Sequence, residues 1–126
     1  MINISIIGLG LMGQNHLRVI SELKDVKINY LYDKNINKLK KLSKKYNLKY
    51  TRNLKDILKS SNAVIIASPT KTHYFYINYF LKTQINLFIE KPIVSNFKQA
   101  LDLKRKIKNR KFQCGFIERF NSVYLE

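Results

Sequence analysis

Short unbroken apolar runs alternate along this chain with stretches in which apolar residues recur every three or four positions. That rhythm predicts strand followed by helix, several times over. The first strand covers about Asn3 to Ile7, and the helix behind it, about Met12 to Leu23, turns Leu17, Ile20 and Leu23 inward. A second strand, Ile28 to Tyr32, leads into a helix over Ile36 to Tyr46 with Ile36, Leu39 and Leu42 on its apolar stripe. A short third strand is expected at Lys49 to Thr51. Asn53 is placed to cap a short helix over Leu54 to Lys59, since its side chain can accept from the first unpaired amides.

The next run, Ala63 to Ala67, is apolar at every position. Continuous rather than alternating hydrophobicity predicts a fourth strand buried on both faces, as in a parallel sheet covered by helices. A helix over about Thr72 to Lys82 follows, burying Ile77, Phe80 and Leu81. The fifth strand, Asn86 to Glu90, is stopped by Pro92, which cannot donate to a ladder and permits a cis bond after Lys91. Asn96 with Gln99 has the spacing of a capping box. It opens a helix over Phe97 to Ile107 that presents Phe97, Ala100, Leu103 and Ile107 inward. Phe112 to Ile117 is the sixth strand.

Six strands alternating with helices predict an α/β fold, a doubly wound parallel sheet of order 3-2-1-4-5-6 in one domain spanning residues 1–126. Right-handed crossovers then bring every strand's carboxyl end to one edge. Gly8, Asp33, Pro69 and Lys91 each lie just beyond such an end, so the polar features converge where sheets of this kind bind ligands.

The first of those ends carries the sharpest signal. Gly8-Leu9-Gly10-Leu11-Met12-Gly13 is a G-x-G-x-x-G turn running from a strand into a helix. Gly8 allows a tight exit, Gly10 lets backbone approach a phosphate, and Gly13 lets the helix pack on the strand. The amides of the new helix, from Leu11 and Met12 onward, then face a dinucleotide pyrophosphate. Asp33 ends the second strand about 20 residues later, where a carboxylate accepts from the adenosine ribose hydroxyls and repels a 2′-phosphate. NAD is therefore expected over NADP, a preference that neighbouring Lys34 softens.

Composition narrows the classes of function. The 126 residues are 45% apolar and 25% charged, ordinary for a globular protein with one core. No apolar run approaches the roughly 18 residues of a membrane span. The opening residues have neither the basic stretch nor the cleavage site of a signal peptide. A lone cysteine, Cys114, excludes an internal disulfide and makes the cytoplasm the expected compartment. It alternates with Phe112 and Phe116 and reads as a small buried residue. No cluster has metal-ligand spacing, and no Ser/His/Asp set is evident. The 24 basic against 8 acidic residues give a net charge of +16, which raises nucleic acid as a partner. The basic residues are mostly lysines spread along polar helix faces, so nonspecific, salt-sensitive binding is what they predict.

Three further segments carry a family resemblance. They are Ala67-Ser68-Pro69-Thr70-Lys71-Thr72-His73, Glu90-Lys91-Pro92 and Gly115-Phe116-Ile117-Glu118-Arg119-Phe120-Asn121. With the glycine turn and His16, they resemble the N-terminal, Rossmann half of the Gfo/Idh/MocA oxidoreductases over essentially the whole chain. The Glu-Arg-Phe-Asn ending is similar to members acting on UDP-N-acetylated sugars. The resemblance implies that Gly8, Gly10, Leu11, Met12, Gly13 and Asp33 bind the cofactor. It places Ser68, Pro69 and His73 at its nicotinamide end, with Glu90 beside it. It implies that Lys91 handles the substrate hydroxyl proton, and a partly desolvated lysine beside a cationic ring suits that exchange. The plainer reading of Lys91 is an ion pair with a neighbouring acid. His73 reads equally as a ligand contact or as a helix-entry residue bonded to backbone, and His16 as local packing.

Members of that family continue into a second α/β domain holding much of the sugar site, and Ser122 stands where they often carry proline. The expectation is thus an NAD(P)-binding domain of a sugar or nucleotide-sugar dehydrogenase, inactive by itself. It would be a portion left by a truncated or split gene, or work with a separately encoded second half, and an uncovered edge would favour a homo-oligomer. Two other readings stay open: a stand-alone NAD-binding sensor or partner module, and a basic nucleic-acid-binding protein.

Overall fold

The structure, a computed structural model, describes residues 1–125. Five parallel strands form one sheet in the order β2-β1-β3-β4-β5. They are β1 (Ile2–Ile7), β2 (Val26–Tyr32), β3 (Ala63–Ile66), β4 (Asn86–Ile89) and β5 (Phe112–Cys114). The helices are α1 (Leu11–Ser21), α2 (Ile36–Tyr46), α3 (Leu54–Ser60), α4 (Thr70–Phe80), α5 (Phe97–Lys106) and the short α6 (Ser122–Leu125). A 3-10 turn, Ile117–Phe120, precedes α6.

The sheet is buried on two sides. On one face Leu9, Leu17, Ile20, Leu39 and Leu42 pack on Ile6, Ile28, Leu31 and Ile65. On the other, Ile57, Tyr76, Ile77, Phe80 and Leu103 pack on Ile7, Val64, Ile66, Leu87 and Ile89. Central β3 sends Ile65 to one core and Val64 and Ile66 to the other, which is why its sequence shows no polar alternation. Asn35, Asn53 and Asn96 each accept from an opening amide of α2, α3 and α5, satisfying donors that those helices would otherwise leave unpaired.

Four expectations are corrected. The third strand at Lys49 to Thr51 reduces to a single bridge, Leu31 to Tyr50. The Thr51 amide still donates to the Leu31 carbonyl at 3.0 Å, while its hydroxyl donates to Asp56 Oδ2 at 2.5 Å and accepts from the Asn53 amide, joining it to the start of α3. The predicted order survives around it, since that bridge lies beside β2. The last strand stops at Cys114 rather than Ile117, and the chain turns at Phe116 into the 3-10 segment. Leu23 is 50% exposed because α1 ends at Ser21, two residues before it. On α5 only Leu103 reaches the core, while Phe97 is 77% exposed and Ala100 is also exposed.

Polar links take over where the apolar face of α5 is thin. The Tyr74 hydroxyl donates to Asp102 Oδ2 at 2.6 Å, and Lys106 Nζ lies 2.6 Å from the same oxygen and 2.8 Å from Asn78 Oδ1. These tie α5 to α4. The Lys106 and Tyr74 hydrogen bonds hold the Asp102 carboxyl below its ordinary value. A lowered carboxyl stabilises the fold above its unfolded pKa of about 4 and stops doing so as pH falls through the lower folded value. Thermal midpoints of wild type and Asp102→Asn are therefore expected to differ near neutrality and to converge as the pH approaches about 2. An unchanged gap across that range would show that the tie contributes nothing.

Candidate functional site

The glycine turn is built by close main-chain contacts. Gly8 has φ +88°, where a side chain is disfavoured, and its N–H donates to the Tyr32 carbonyl at 2.9 Å. A Cβ on Gly8 would stand 2.4 Å from the Ser68 nitrogen, so the turns after β1 and β3 touch backbone to backbone. A Cβ on Gly13 would stand 1.8 Å from the Gly8 carbonyl oxygen, so α1 rests directly on the turn.

Gly10 is different. It is exposed, and a Cβ there would meet nothing within 4 Å. It is also the N-cap of α1, a helix with no side-chain cap and no acidic residue in its first turn. The opening amides of α1, at Leu11 and Met12, therefore keep their affinity for an anion.

Asp33 stands across this turn at the end of β2. Its Oδ2 accepts from the Leu9 amide at 2.7 Å and its Oδ1 from the Asn35 amide at 2.8 Å. A carboxylate has about four acceptor positions, so these two bonds fix its direction and leave capacity for ribose hydroxyls. The carboxylate is thus part of the turn's own scaffolding as well as a candidate ligand contact.

A cleft of about 590 Å³ opens along this edge. Gly8, Gly10, Leu11 and Met12 line one part of it, Asp33, Lys34 and Lys38 another, and Ser68, Pro69, Lys71 and Thr72 the opposite wall. Tyr32 and Tyr76 meet edge to face at 6.0 Å and also line it. Burial, reinforced by Tyr32, pushes the Tyr76 phenol well above its ordinary range, so it presents a neutral surface. The Thr72 hydroxyl lies 2.7 Å from Ser68 Oγ and 2.6 Å from the Pro69 carbonyl, fixing the entry to α4.

Glu90 and Lys91 follow β4, two strands over from β1 and about 10 Å away by ordinary strand spacing. Glu90 is 6% exposed, with Oε1 2.6 Å from His16 Nε2 and Oε2 accepting from the Lys91 amide at 3.3 Å. The His16 ring also packs edge-on to Phe88 at 5.1 Å. His16 therefore does more than local packing: it joins α1 to the end of β4. Gly115 backs the same carboxylate, where a Cβ would stand 3.0 Å from Oε2. Cys114 beside it is half-buried, and burial followed by the Glu90 charge pushes its thiol up, away from the reactive thiolate form.

Lys91 itself is exposed, and the peptide bond to Pro92 is cis. Its acidic neighbour pairs with His16, and among the described residues Lys91 enters no ion pair. His73 is 1% exposed and does not line the cleft. Its Nε2 lies 2.7 Å from the Ser68 carbonyl, and its Nδ1 lies 3.0 Å from those of Pro92 and Ile93. It braces the loop after β3 against the loop after β4 from beneath, the backbone-bonded arrangement of the two read from sequence.

The residues present fit a dinucleotide: an uncapped helix start above empty space at Gly10, a directed carboxylate opposite, and a cleft between them. The family model described as an oxidoreductase family with an NAD-binding Rossmann fold matches residues 2–116. The chain belongs to the Gfo/Idh/MocA oxidoreductase family. Scyllo-inositol dehydrogenase from Lactobacillus casei, solved with bound NAD(H) and scyllo-inositol, superposes with a TM-score of 0.90 at 27% identity, over 99% of this chain and 39% of that one. Inositol 2-dehydrogenase 1 of Mycolicibacterium vanbaalenii is 26% identical over 132 residues, covering 98% of this chain and 38% of its own length. The UDP-N-acetylglucosamine 3-dehydrogenase of Acidithiobacillus ferrooxidans shares the fold, with a TM-score of 0.88 at 21% identity over 98% of this chain and 42% of that one. The chain thus spans about two-fifths of the length of these Gfo/Idh/MocA relatives. Among its described residues no helix is long and apolar enough to cross a membrane, and no group of three His, Cys, Asp or Glu is placed to hold a metal.

Sequence reasoning missed two residues that line this cleft, Tyr76 and Lys38, on helices where periodicity marks only core and surface. It placed Gly115 in a family segment without showing that its missing side chain leaves room for the Glu90 carboxylate.

Proposed function

We propose that this chain binds a nicotinamide dinucleotide, NAD in preference to NADP, and forms the cofactor half of a dehydrogenase of polyhydroxylated rings: a cyclic polyol, a sugar or a nucleotide-sugar. The observation that carries this reading is the uncapped start of α1 over open space at Gly10, with Asp33 held opposite. The amides of Leu11 and Met12 would take the pyrophosphate, and Asp33 the ribose hydroxyls. Ser68 and Pro69 would line the far wall.

A bound nicotinamide ring supplies the hydride acceptor. Lys91 would accept the substrate hydroxyl proton as the carbinol hydride leaves, giving a carbonyl product. Glu90 anchors the Lys91 amide, and His73 holds the loop that Pro92 enters. Lys91 stands on an open edge, and a misplacement of even about 1 Å can cost roughly a hundredfold in rate. These residues alone would accordingly turn substrate over negligibly, and a second α/β unit, on the same chain or another, would supply substrate positioning. Nucleic acid binds only through nonspecific charge. The single free thiol suits a reducing, cytoplasmic setting.

Titration calorimetry with NADH and NADPH, on wild type and on Asp33→Ala and Asp33→Asn, tests the cofactor assignment. Wild type is expected to favour NADH. Asp33→Ala should weaken NADH by about tenfold, the equivalent of one good hydrogen bond, and lose the preference. Asp33→Asn retains an acceptor for Leu9, which separates loss of charge from loss of the turn. Unchanged selectivity in both variants would remove Asp33 from this role.

A further inference from the structure

The solvent side of α5 carries a stripe that the fold does not use. Phe97, Leu101, Lys104 and Lys108 follow one another at steps of three and four residues, which puts them on one face. Leu103 points the other way, into the core, while Asp102 and Lys106 turn to Tyr74 and Asn78 of α4. Phe97 and Leu101 are 77% and 47% exposed, although helix periodicity alone would send Phe97 inward. Lys98, Lys104, Arg105 and Lys108 rim this apolar strip, and all are exposed. Among the described residues Lys98, Lys104 and Lys108 enter no ion pair, and Arg105 reaches only Asp102, at 3.7 Å.

We infer that this face docks the protein on the surface of a lipid bilayer with anionic headgroups. Two features select that partner. The stripe is convex: the shallow groove along it is lined by Leu101, Lys104, Arg105 and Lys108, all from α5 and its carboxyl flank, so no second element walls it. A small ligand needs a concave site, whereas a soft interface accepts a ridge. The apolar and cationic residues also share one face. Headgroup phosphates attract the cations, and the boundary with the acyl chains takes in Phe97 and Leu101. A nucleic-acid backbone would use the cations but offers an aliphatic Leu101 nothing to bury against. A second copy is disfavoured, because each chain carries a net charge of +16. Each cation held near an anionic surface strengthens partitioning by about fivefold, so a rim of four supplies on the order of a few hundredfold. No residue of α5 lines the dinucleotide cleft, so docking and cofactor binding stand independently.

Co-sedimentation with vesicles of equal parts phosphatidylglycerol and phosphatidylcholine, beside vesicles of phosphatidylcholine alone, tests the assignment. Wild type is expected to bind the mixed vesicles and not the neutral ones. Lys104→Ala/Lys108→Ala should weaken binding by about twentyfold, and Phe97→Ser/Leu101→Ser by about tenfold or more. All four side chains are exposed, so the variants should fold, and thermal melts check this. Lys40→Ala/Lys44→Ala removes the same charge from α2, which packs on the opposite face of the sheet; it should change binding by less than about threefold, since those charges stand beyond a Debye length from the bilayer. The chain has no tryptophan, so Phe97→Trp sets a single reporter on the stripe, and its emission should shift to the blue on the mixed vesicles. Absence of binding to the mixed vesicles overturns the proposal and leaves the cofactor reading intact. Full binding by Phe97→Ser/Leu101→Ser, an unshifted reporter on bound protein, or an equal loss from the α2 pair also overturns it, because diffuse charge would then account for the attachment. If Phe97→Ser/Leu101→Ser weakens duplex DNA as much as vesicles, the face belongs to nucleic acid instead.

Discussion

Gly10→Ala is expected to abolish dinucleotide binding while leaving the fold standing, whereas Gly8→Ala is expected to cost the fold first. The free protein has room for a methyl group at Gly10, and its φ of −69° suits alanine. Replacing an N-cap glycine by alanine should therefore change stability by no more than about 1 kcal/mol. A phosphate oxygen, however, must come within about 2.9 Å of the amides behind it. Losing two charge-assisted hydrogen bonds of about 1.5–3 kcal/mol each weakens binding by at least about a hundredfold. At Gly8 the added carbon meets the Ser68 main chain at 2.4 Å in a left-handed conformation. Strain and overpacking together come to about 3 kcal/mol or more, which lowers the thermal midpoint of a domain this size by about 10 °C. Thermal melts beside NADH titrations separate the two outcomes. Wild-type affinity in Gly10→Ala would mean that the pyrophosphate sits elsewhere.

The second large effect is expected at Glu90. His16→Ala would leave a carboxylate that is 6% exposed with one weak partner, the Lys91 amide at 3.3 Å. Stranding a buried charge costs several kcal/mol, reduced here because His16 is partly exposed and water can replace it; about 2 kcal/mol is the expected loss. Glu90→Gln keeps a hydrogen-bonding group without the stranded charge and should cost less. The double variant His16→Ala/Glu90→Gln should then be more stable than the sum of the single losses, with a coupling of at least about 1 kcal/mol. Strict additivity in chemical denaturation would show that the two side chains act independently.

The contrast between these sites explains what the sequence made legible. The glycine turn, Asp33 and the doubly buried β3 are written in contiguous residues, so local spacing carries them. The pairing of His16 with Glu90 spans 74 positions, and nothing near either residue announces the other. The same limit hid the role of Gly115, legible only as part of a family segment, whose missing side chain makes room for that carboxylate. The strand expected at Lys49 to Thr51 shrinks for a different reason: past the single bridge of Tyr50 with Leu31, the Thr51 side chain already joins Asn53 and Asp56 at the start of α3. Phe97 misled because helical periodicity reports which residues share a face but not how far the sheet extends beneath them.

The contact of Gly8 with the Ser68 main chain has a kinetic consequence. No side chain lies between the two turns, so no rotamer change can alter their separation. At that point the two walls of the cleft meet through main chain alone. Entry then carries little cost for ordering loops, and the association rate is set by diffusive encounter rather than by a slow rearrangement of the host.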